Sequence, residues 1–336
     1  MAAKKAKREK QEKHGKGMRT WPFYAALAVL FVLYIYFQHV QTLSLIFGLM
    51  LFFTITVLVA LEIISSVREE GYKKNLTEIA IAVLAIIIFW VALRLVLQTD
   101  YPLNVVPSCS MLPNLQRGDM VLLQGIGNAV LLKAPVINMN QSAYRSLIDY
   151  LKGGQPLCVA YKQVDNHTYI SQKLAPNYSI GLYKSYGNEV GIVPQDSQTG
   201  PIAYTCGTRT MQYLNGTTGL EVYTAAVTIA GTTIIGNANN TVIVYETTLG
   251  DYFYSIGDAY IVHRIYVMLN VDGDYYALTK GDNNPGLDIQ YENYPIKESN
   301  IEGKVIAAIP YLGYLKLVLS NQFNEPAGCN SYHVSE

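Results

Sequence analysis

Apolar residues form three long runs in the first third of the chain. The runs are Trp21–Phe37, Leu43–Ile64 and Ile79–Leu97, and they follow a basic tail at residues 1–20. A helix that crosses a bilayer needs about 20 mostly apolar residues, and about 17 is the lower limit. The pattern therefore predicts a membrane anchor over residues 21–97 with three transmembrane helices, at about 21–37, 43–64 and 79–97.

The distribution of Lys and Arg predicts how this anchor is oriented. The tail holds eight basic residues and two Glu, the loop Gln38–Thr42 holds no Lys or Arg, and the loop Ser65–Asn75 holds three. Basic loops stay on the cytoplasmic side of a membrane. The N-terminus is therefore expected in the cytoplasm and everything beyond residue 97 outside it, in a multi-pass integral protein of the cell membrane.

Beyond residue 98 the pattern changes to short runs of β-branched and aromatic residues, separated by Gly, Pro and Asn. Such runs are typical of strands. The turn Asp272-Gly273 joins the last two runs into a hairpin, and helical periodicity is confined to the neighbourhood of Gln141–Lys152. The fold is therefore predicted to be mostly β. The candidate strands are Met120–Gln124, Thr241–Glu246, Tyr260–Met268 and Tyr275–Thr279.

Composition separates one stretch from its surroundings. Residues 127–238 are rich in Asn, Tyr and Thr and poor in charge, so we expect an inserted subdomain that is separable from a main β domain at 98–126 and 239–320. Residues 321–336 form a C-terminal tail. The whole chain is 50% hydrophobic and 15% charged with a mean hydropathy of +0.16, which argues against a disordered or nucleic-acid-binding protein.

The four cysteines are Cys109, Cys158, Cys206 and Cys329. Their spacing contains no C-x-x-C or Cys/His pattern of the kind that binds metals. Cys158 and Cys206 either pair with each other, if this region faces an oxidising compartment, or remain two buried thiols.

Three polar segments stand out against this background. The first is VVPSCSMLPNLQRGD at Val105–Asp119, the second is IVHRI at Ile261–Ile265, and the third is TKGDNN at Thr279–Asn284, followed by Asp288. The first two come from widely separated parts of the chain. Together the segments carry the side-chain types that nucleophilic catalysis uses.

Nucleophilic catalysis needs a hydroxyl, a base within hydrogen-bond reach, and a group that orients the base. Ser110 supplies the hydroxyl and His263 the base. The orienting carboxylate is either Asp282, within the third segment, or Asp288, shortly after it. The residues alone leave that choice open.

The same segments resemble those of type I signal peptidases, specifically the archaeal and endoplasmic-reticulum type. The match covers Val105–Gln124, Thr241–Asp288 and the later stretch Gly303–Gly313, in the order that the family has them. Bacterial relatives carry a Lys base before an Arg, whereas this chain has His263-Arg264. The resemblance therefore implies a signal-peptidase-like β catalytic domain that uses the Ser-His-Asp version of the mechanism.

The resemblance also implies a role for each candidate residue. Ser110 would be the nucleophile and His263 the general base. Asp288 would orient the imidazole, while Asp282 would support the site or be the orienting group itself. The Ser110 backbone N–H, helped by the Ser108 hydroxyl, would stabilise the oxyanion.

The implied function is that of a membrane-bound serine endopeptidase that removes N-terminal signal peptides from secreted preproteins at the outer membrane surface. Its expected partners are secretory preproteins, the lipid bilayer and the protein-export machinery, without nucleic acid. No metal or organic cofactor is expected. The chain departs from the family pattern beside the expected nucleophile, where Cys109 stands between the two serines in place of the usual small Gly. It also has Asn240-Thr241 where a Gly-Asp commonly begins the strand before the His, and residues 127–238 lengthen the usual connection to that strand.

Two other functions fit the same sequence. One is a non-catalytic membrane-anchored ectodomain that binds a partner or a glycan through residues 127–238. The other is a membrane serine protease of the same fold that acts on something other than secretory signal peptides, since pocket shape decides specificity.

Overall fold

The structure, a computed structural model, describes most of the chain. The described residues are 21–37, 72–127, 132–186, 189–326 and 328–334, with scattered helical positions between 43 and 61. The basic tail and part of the second apolar run lie outside them. The chain divides into two compact units, Met1–Val96 with Pro310–Tyr314 and Leu97–Ile309 with Leu315–Glu336.

The N-terminal part contains helix α1, Trp21–Tyr36, and helix α2, Tyr72–Leu97. Within the described part of the chain, no helix combines the length and the hydropathy needed to cross a membrane. This finding overturns the predicted anchor of three transmembrane helices. It equally overturns the predicted multi-pass location in the cell membrane.

The first apolar run, Trp21–Phe37, forms a helix that ends one residue before the run does. Helix α1 has 16 residues, fewer than the roughly 17 that a span requires. Helix α2 has 26 residues and carries Arg94 in its last turn.

The rest of the chain is mostly β, as the sequence predicts. The strands are β1 Leu103–Val105, β2 Met120–Gln124, β3 Val136–Met139, β4 Leu157–Val164, β5 His167–Ser171, β6 Lys173–Leu174, β7 Ser179–Tyr186, β8 Glu189–Val193, β9 Ile202–Tyr213, β10 Thr218–Ile229, β11 Thr232–Ile235, β12 Val242–Glu246, β13 Tyr260–Val271, β14 Asp274–Lys280, β15 Ile296–Lys297, β16 Ile301–Ile309 and β17 Ser331–His333. The further helices are α3 Gln141–Leu151, α4 Tyr252–Ser255 and α5 Tyr314–Leu319, with 3₁₀ turns at Gln195–Ser197, Asp288–Tyr291 and Glu298–Asn300.

In the described part of the chain these strands form three sheets. The central sheet has the order β1-β2-β16-β12-β13-β14-β15, and β3 pairs with β13. The other two sheets have the orders β11-β10-β9-β17, with β6 beside β10, and β5-β4-β7-β8. All three candidate polar segments border the central sheet, which therefore positions the site.

The hairpin of β13 and β14 is the framework of the site. Its turn residues Asp272 and Gly273 have φ of 51° and 101°, and this left-handed conformation is what an Asp-Gly hairpin turn supplies. The pairing places Arg264 opposite Lys280 and Ile265 opposite Thr279. Since side chains alternate along a strand, His263 and Thr279 share one face of the sheet, and Arg264 and Lys280 share the other.

Residues 127–238 share a core with the strands around them. Strand β3 lies parallel to β13 in the central sheet. Helix α3 buries Tyr144, Leu147 and Leu151, and these side chains belong to the same apolar cluster as Leu269 and Leu278 of the hairpin. The segment and the hairpin therefore bury one hydrophobic surface between them.

A point mutation tests this shared core. Leu147 is 1% exposed, and we expect Leu147→Ala to lower the free energy of unfolding by about 2–5 kcal/mol through lost burial and a residual cavity. Denaturant unfolding should show one transition, because the cluster joins both segments. Arg145→Ala, on the exposed face of the same helix, should change stability by less than about 0.5 kcal/mol. A separate early transition in Leu147→Ala would show that residues 127–238 fold independently.

Candidate active site

The serine of the first segment lies on the loop between β1 and β2 and is half-buried. Met111, the next residue in the loop, is fully buried and anchors the loop in an apolar cluster. Its backbone is held by Asn283, whose N–H donates to the Ser110 carbonyl at 2.7 Å. At Gly281 a Cβ would lie 2.8 Å from the same carbonyl oxygen. The close approach explains why this position of the TKGDNN segment is a glycine.

The imidazole of His263 lies between Ser110 and a carboxylate. Its Nε2 is 2.9 Å from the Ser110 hydroxyl oxygen, and its Nδ1 is 2.7 Å from Asp288 Oδ2. An ionised carboxylate only accepts hydrogen bonds, so Nδ1–H donates to Asp288 and Nε2 accepts from Ser110. The structure thus brings three sequence-predicted residues into one hydrogen-bonded series.

The carboxylate of Asp288 opens the 3₁₀ turn after β14 and is 1% exposed. Its Oδ2 also accepts hydrogen bonds from Thr279 Oγ1 at 2.5 Å and from the Tyr245 hydroxyl at 3.1 Å. Its Oδ1 has no hydrogen-bond partner among the described residues. One oxygen therefore carries the whole network that faces His263.

This environment favours the charged carboxylate. Burial by itself raises the pKa of Asp288, but the electrostatic interaction with His263 and the hydrogen bonds from His263, Thr279 and Tyr245 outweigh it and hold the pKa below the usual Asp value. Burial, and then the neighbouring Asp288 charge, raise the pKa of Tyr245 far above its usual value. Tyr245 therefore stays a neutral hydrogen-bond donor.

The other carboxylate candidate lies elsewhere. Asp282 accepts two hydrogen bonds from the Arg264 guanidinium, both at 2.7 Å, and a third from Asn114 at 2.7 Å. Arg264 faces away from His263 because the two are consecutive in strand β13. Of the two open candidates, Asp288 is the one that contacts the imidazole, and Asp282 binds an arginine.

The cleft beside the serine has a volume of about 730 Å³. Ser108, predicted to assist the oxyanion, lines it with its hydroxyl 3.2 Å from that of Ser110. Phe253 packs its ring edge against His263 with ring centroids 6.0 Å apart. The central sheet contributes an apolar lining from Val105, Ile261 and Val262.

Sequence reasoning missed several side chains that support this arrangement. Thr279 and Asn283 lie in the TKGDNN segment, but nothing in their spacing assigns them a role. Tyr245 lies in a predicted strand and carries no polar motif. The disulfide Cys109–Cys329 joins residues 220 positions apart, and no local pattern indicates such a pair. The pairing of Cys158 with Cys206, which the sequence left open, is present.

Among the described residues, one cluster has the side-chain types of a metal site, namely Cys109, Glu325 and Cys329. Both sulfurs are committed to the disulfide. Since only the thiolate binds metals, the cluster offers a single carboxylate and does not fit a metal ion.

Lys280 provides a pH-dependent prediction on the other face of the hairpin. Burial, followed by the charge of Arg209, lowers its pKa to about 7, whereas an unfolded lysine has a pKa of about 10.4. Between these values the unfolded state binds more protons, so stability rises as pH increases. The melting temperature of the wild type should therefore rise relative to that of Lys280→Met from pH 7 to pH 10. A constant difference would contradict the lowered pKa.

A hydroxyl, an imidazole and a buried carboxylate hydrogen-bonded in series are the arrangement that serine hydrolases use. Two curated proteins have sequences that are similar to part of this chain. Over 85 residues the chain is 34% identical to the signal peptidase complex catalytic subunit SEC11 of Chaetomium globosum. It is 36% identical over 85 residues to the subunit of the same name from Pyricularia oryzae.

Each match covers 23% of this chain and 49% of the relative. The chain therefore spans about half the length of the curated relatives it matches. No protein-family model and no solved structure matches it. The predicted resemblance to type I signal peptidases of the archaeal and endoplasmic-reticulum type is confirmed by these relatives.

Proposed function

We propose that this protein is a serine endopeptidase that removes N-terminal signal peptides from secretory preproteins. The observation that supports it most directly is the hydrogen-bonded series from Ser110 through His263 to Asp288. The similarity to two signal peptidase catalytic subunits supplies the substrate class.

The geometry supports a two-step acyl transfer. Ser110 Oγ attacks the scissile carbonyl carbon while His263 Nε2 takes its proton, and the imidazolium then protonates the leaving amine. Asp288 keeps Nδ1–H donating and stabilises the imidazolium. The Ser110 backbone N–H and the Ser108 hydroxyl bind the oxyanion, whose charge develops only in the transition state. Water activated by His263 then hydrolyses the acyl-enzyme.

The apolar lining of the cleft fits the substrate. A signal peptide presents small residues before its cleavage site, and the side chains of Val105, Ile261 and Val262 leave shallow apolar positions for them. Val105 lies on β1, and Ile261 and Val262 lie on β13, both strands of the central sheet. A peptide held in extended form next to them places its carbonyl at the serine.

The test is cleavage of a model preprotein by the purified full-length chain in detergent, with the products mapped by mass spectrometry. We expect one cut, after a small residue that follows the apolar segment of the signal. A preprotein with that small residue replaced by a bulky one should resist cleavage. An absence of cleavage, or cleavage at many unrelated positions, would contradict the proposal.

A further inference from the structure

The C-terminal tail forms part of the cleft that contains Ser110. We call residues 320–334, of which 327 lies outside the described part, the C-terminal strap. Five strap residues line the cleft: Ser320, Asn321, Gln322, Asn324 and Pro326. Four of the five carry hydroxyl or amide side chains, and all five are exposed. The strap therefore adds a polar lining to a cleft whose sheet side is apolar.

One arginine ties the strap to the loop that carries the serine. Arg117 is 8% exposed. Its Nη2 donates to the carbonyls of Gln322 at 2.6 Å and Asn324 at 3.1 Å, and its Nε donates to the Pro107 carbonyl at 3.0 Å. A single buried guanidinium thus fixes the backbone of the strap where it lines the cleft.

Asn283 makes a second connection between the strap and the serine loop. Its side-chain amide lies 3.3 Å from the carbonyls of Cys109 and Gly328 and 2.9 Å from that of Ser331. Its backbone N–H holds the Ser110 carbonyl. One residue of the TKGDNN segment therefore positions both the nucleophile and the strap.

A disulfide and a pair of β-strands also connect the strap to the rest of the protein. The disulfide Cys109–Cys329 joins the strap to the residue that precedes the serine. Strand β17, within the strap, pairs with β9 in antiparallel register from Ser331 to His333. The backbone of the strap is thus held within its cleft-lining part by Arg117 and beyond it by Asn283, the disulfide and β17, so that backbone has a fixed place beside Ser110.

We propose that the C-terminal strap is a specificity-determining wall of the cleft, which selects short polar side chains at the substrate positions that face it. The inference rests on the proposed peptidase function. Successive side chains of an extended peptide point to opposite sides, so alternate residues face the sheet and the strap. A leucine against the strap would bury the amides of Gln322 and Asn324 without hydrogen-bond partners, and that is unfavourable.

The experiment uses peptidyl diphenyl phosphonates, which label a reactive serine whether or not signal peptides are its substrates. In a series of these probes, one peptide position near the phosphonate at a time carries either Ser or Leu, and the labelling rates are compared. For the full-length wild type we expect Leu to slow labelling on the order of tenfold at alternate positions on the strap side. The Ser110→Ala variant measures background labelling at other residues.

Two sets of variants attribute this preference to the strap. Gln322→Leu with Asn324→Leu should remove or reverse the preference. Gln141→Leu, at another exposed glutamine on helix α3, should leave it unchanged. Replacing Cys109 and Cys329 by Ser should flatten the preference by releasing the strap. Replacing Cys158 and Cys206 by Ser removes a disulfide elsewhere in the same unit and should not flatten it.

The outcomes separate the strap from the peptidase proposal. Labelling with the expected preference but no preprotein cleavage would support the strap and contradict the signal peptide substrate. Equal preference in the wild type and in Gln322→Leu/Asn324→Leu, with labelling intact, would overturn the strap as a selectivity wall. If no phosphonate labels Ser110 in the folded wild type, both proposals are wrong.

Discussion

Replacing Ser110 by alanine is expected to reduce kcat for preprotein cleavage by about 10⁴-fold or more, to a level set only by binding and oxyanion stabilisation. The hydroxyl is the atom that forms the acyl-enzyme, and no other described hydroxyl combines contact with His263 Nε2 and a place at the cleft. Single-turnover cleavage under excess enzyme measures the chemical step directly. The far-UV spectrum should remain unchanged, since the substitution removes one half-buried oxygen.

His263→Ala should produce a loss of the same size, and the double variant should be no worse than either single one. Groups that act as a unit are non-additive in this way. Ser299→Ala, an exposed serine in the 3₁₀ turn Glu298–Asn300, is the matched control and should retain wild-type kcat. Cleavage by Ser110→Ala at a rate near that of the wild type would rule out the proposed mechanism.

The sequence predicted the strand framework well because that framework follows from local rules. The bounds of β2 agree residue for residue with the prediction, and the Asp272-Gly273 turn lies between β13 and β14 as its residue types require. Alternation along these strands then separates His263 from Arg264. Once the register is known, this alternation places His263 on the face that contacts Asp288 and Arg264 on the face that contacts Asp282.

The supporting contacts of the site could not be predicted because they join distant parts of the chain. Arg117 reaches carbonyls more than 200 positions away, and Cys329 does the same through its disulfide. Backbone carbonyls are present at every residue, so a sequence gives no signal that particular ones accept from a buried guanidinium. The sequence therefore predicted only a C-terminal tail at 321–336, although residues of this tail line the cleft.

The shared core of residues 127–238 has a similar origin. Composition sets this stretch apart, but composition does not show which side chains are buried together. The side chains that unite it with the hairpin, such as Leu147 with Leu269 and Leu278, are ordinary apolar residues on both sides. The division of the chain at 127 and 238 stays a prediction, which the unfolding of Leu147→Ala tests.

Asp288→Asn is expected to reduce kcat by about 10⁴-fold while leaving the Ser110 hydroxyl in place. The carboxylate only accepts hydrogen bonds, and it therefore fixes the tautomer in which His263 Nε2 is free to take the serine proton. An asparagine amide can donate to Nδ1, and that leaves the proton on Nε2 and removes the base. The loss should appear in kcat rather than KM, because Asp288 is buried beneath His263 and does not line the cleft.

Asp282→Asn provides the matched comparison, since the two carboxylates lie six positions apart and both were candidates from sequence, with Asp288 favoured and Asp282 second. Asp282 pairs with Arg264, and both side chains are largely buried. Removing one charge of such a pair destabilises a fold by about 3–5 kcal/mol, so this variant should lose stability yet keep kcat within about tenfold of the wild type when assayed well below its melting temperature. The reverse pattern, with kcat lost in Asp282→Asn and kept in Asp288→Asn, would show that Asp282 orients the imidazole during catalysis despite its distance from His263 in this structure.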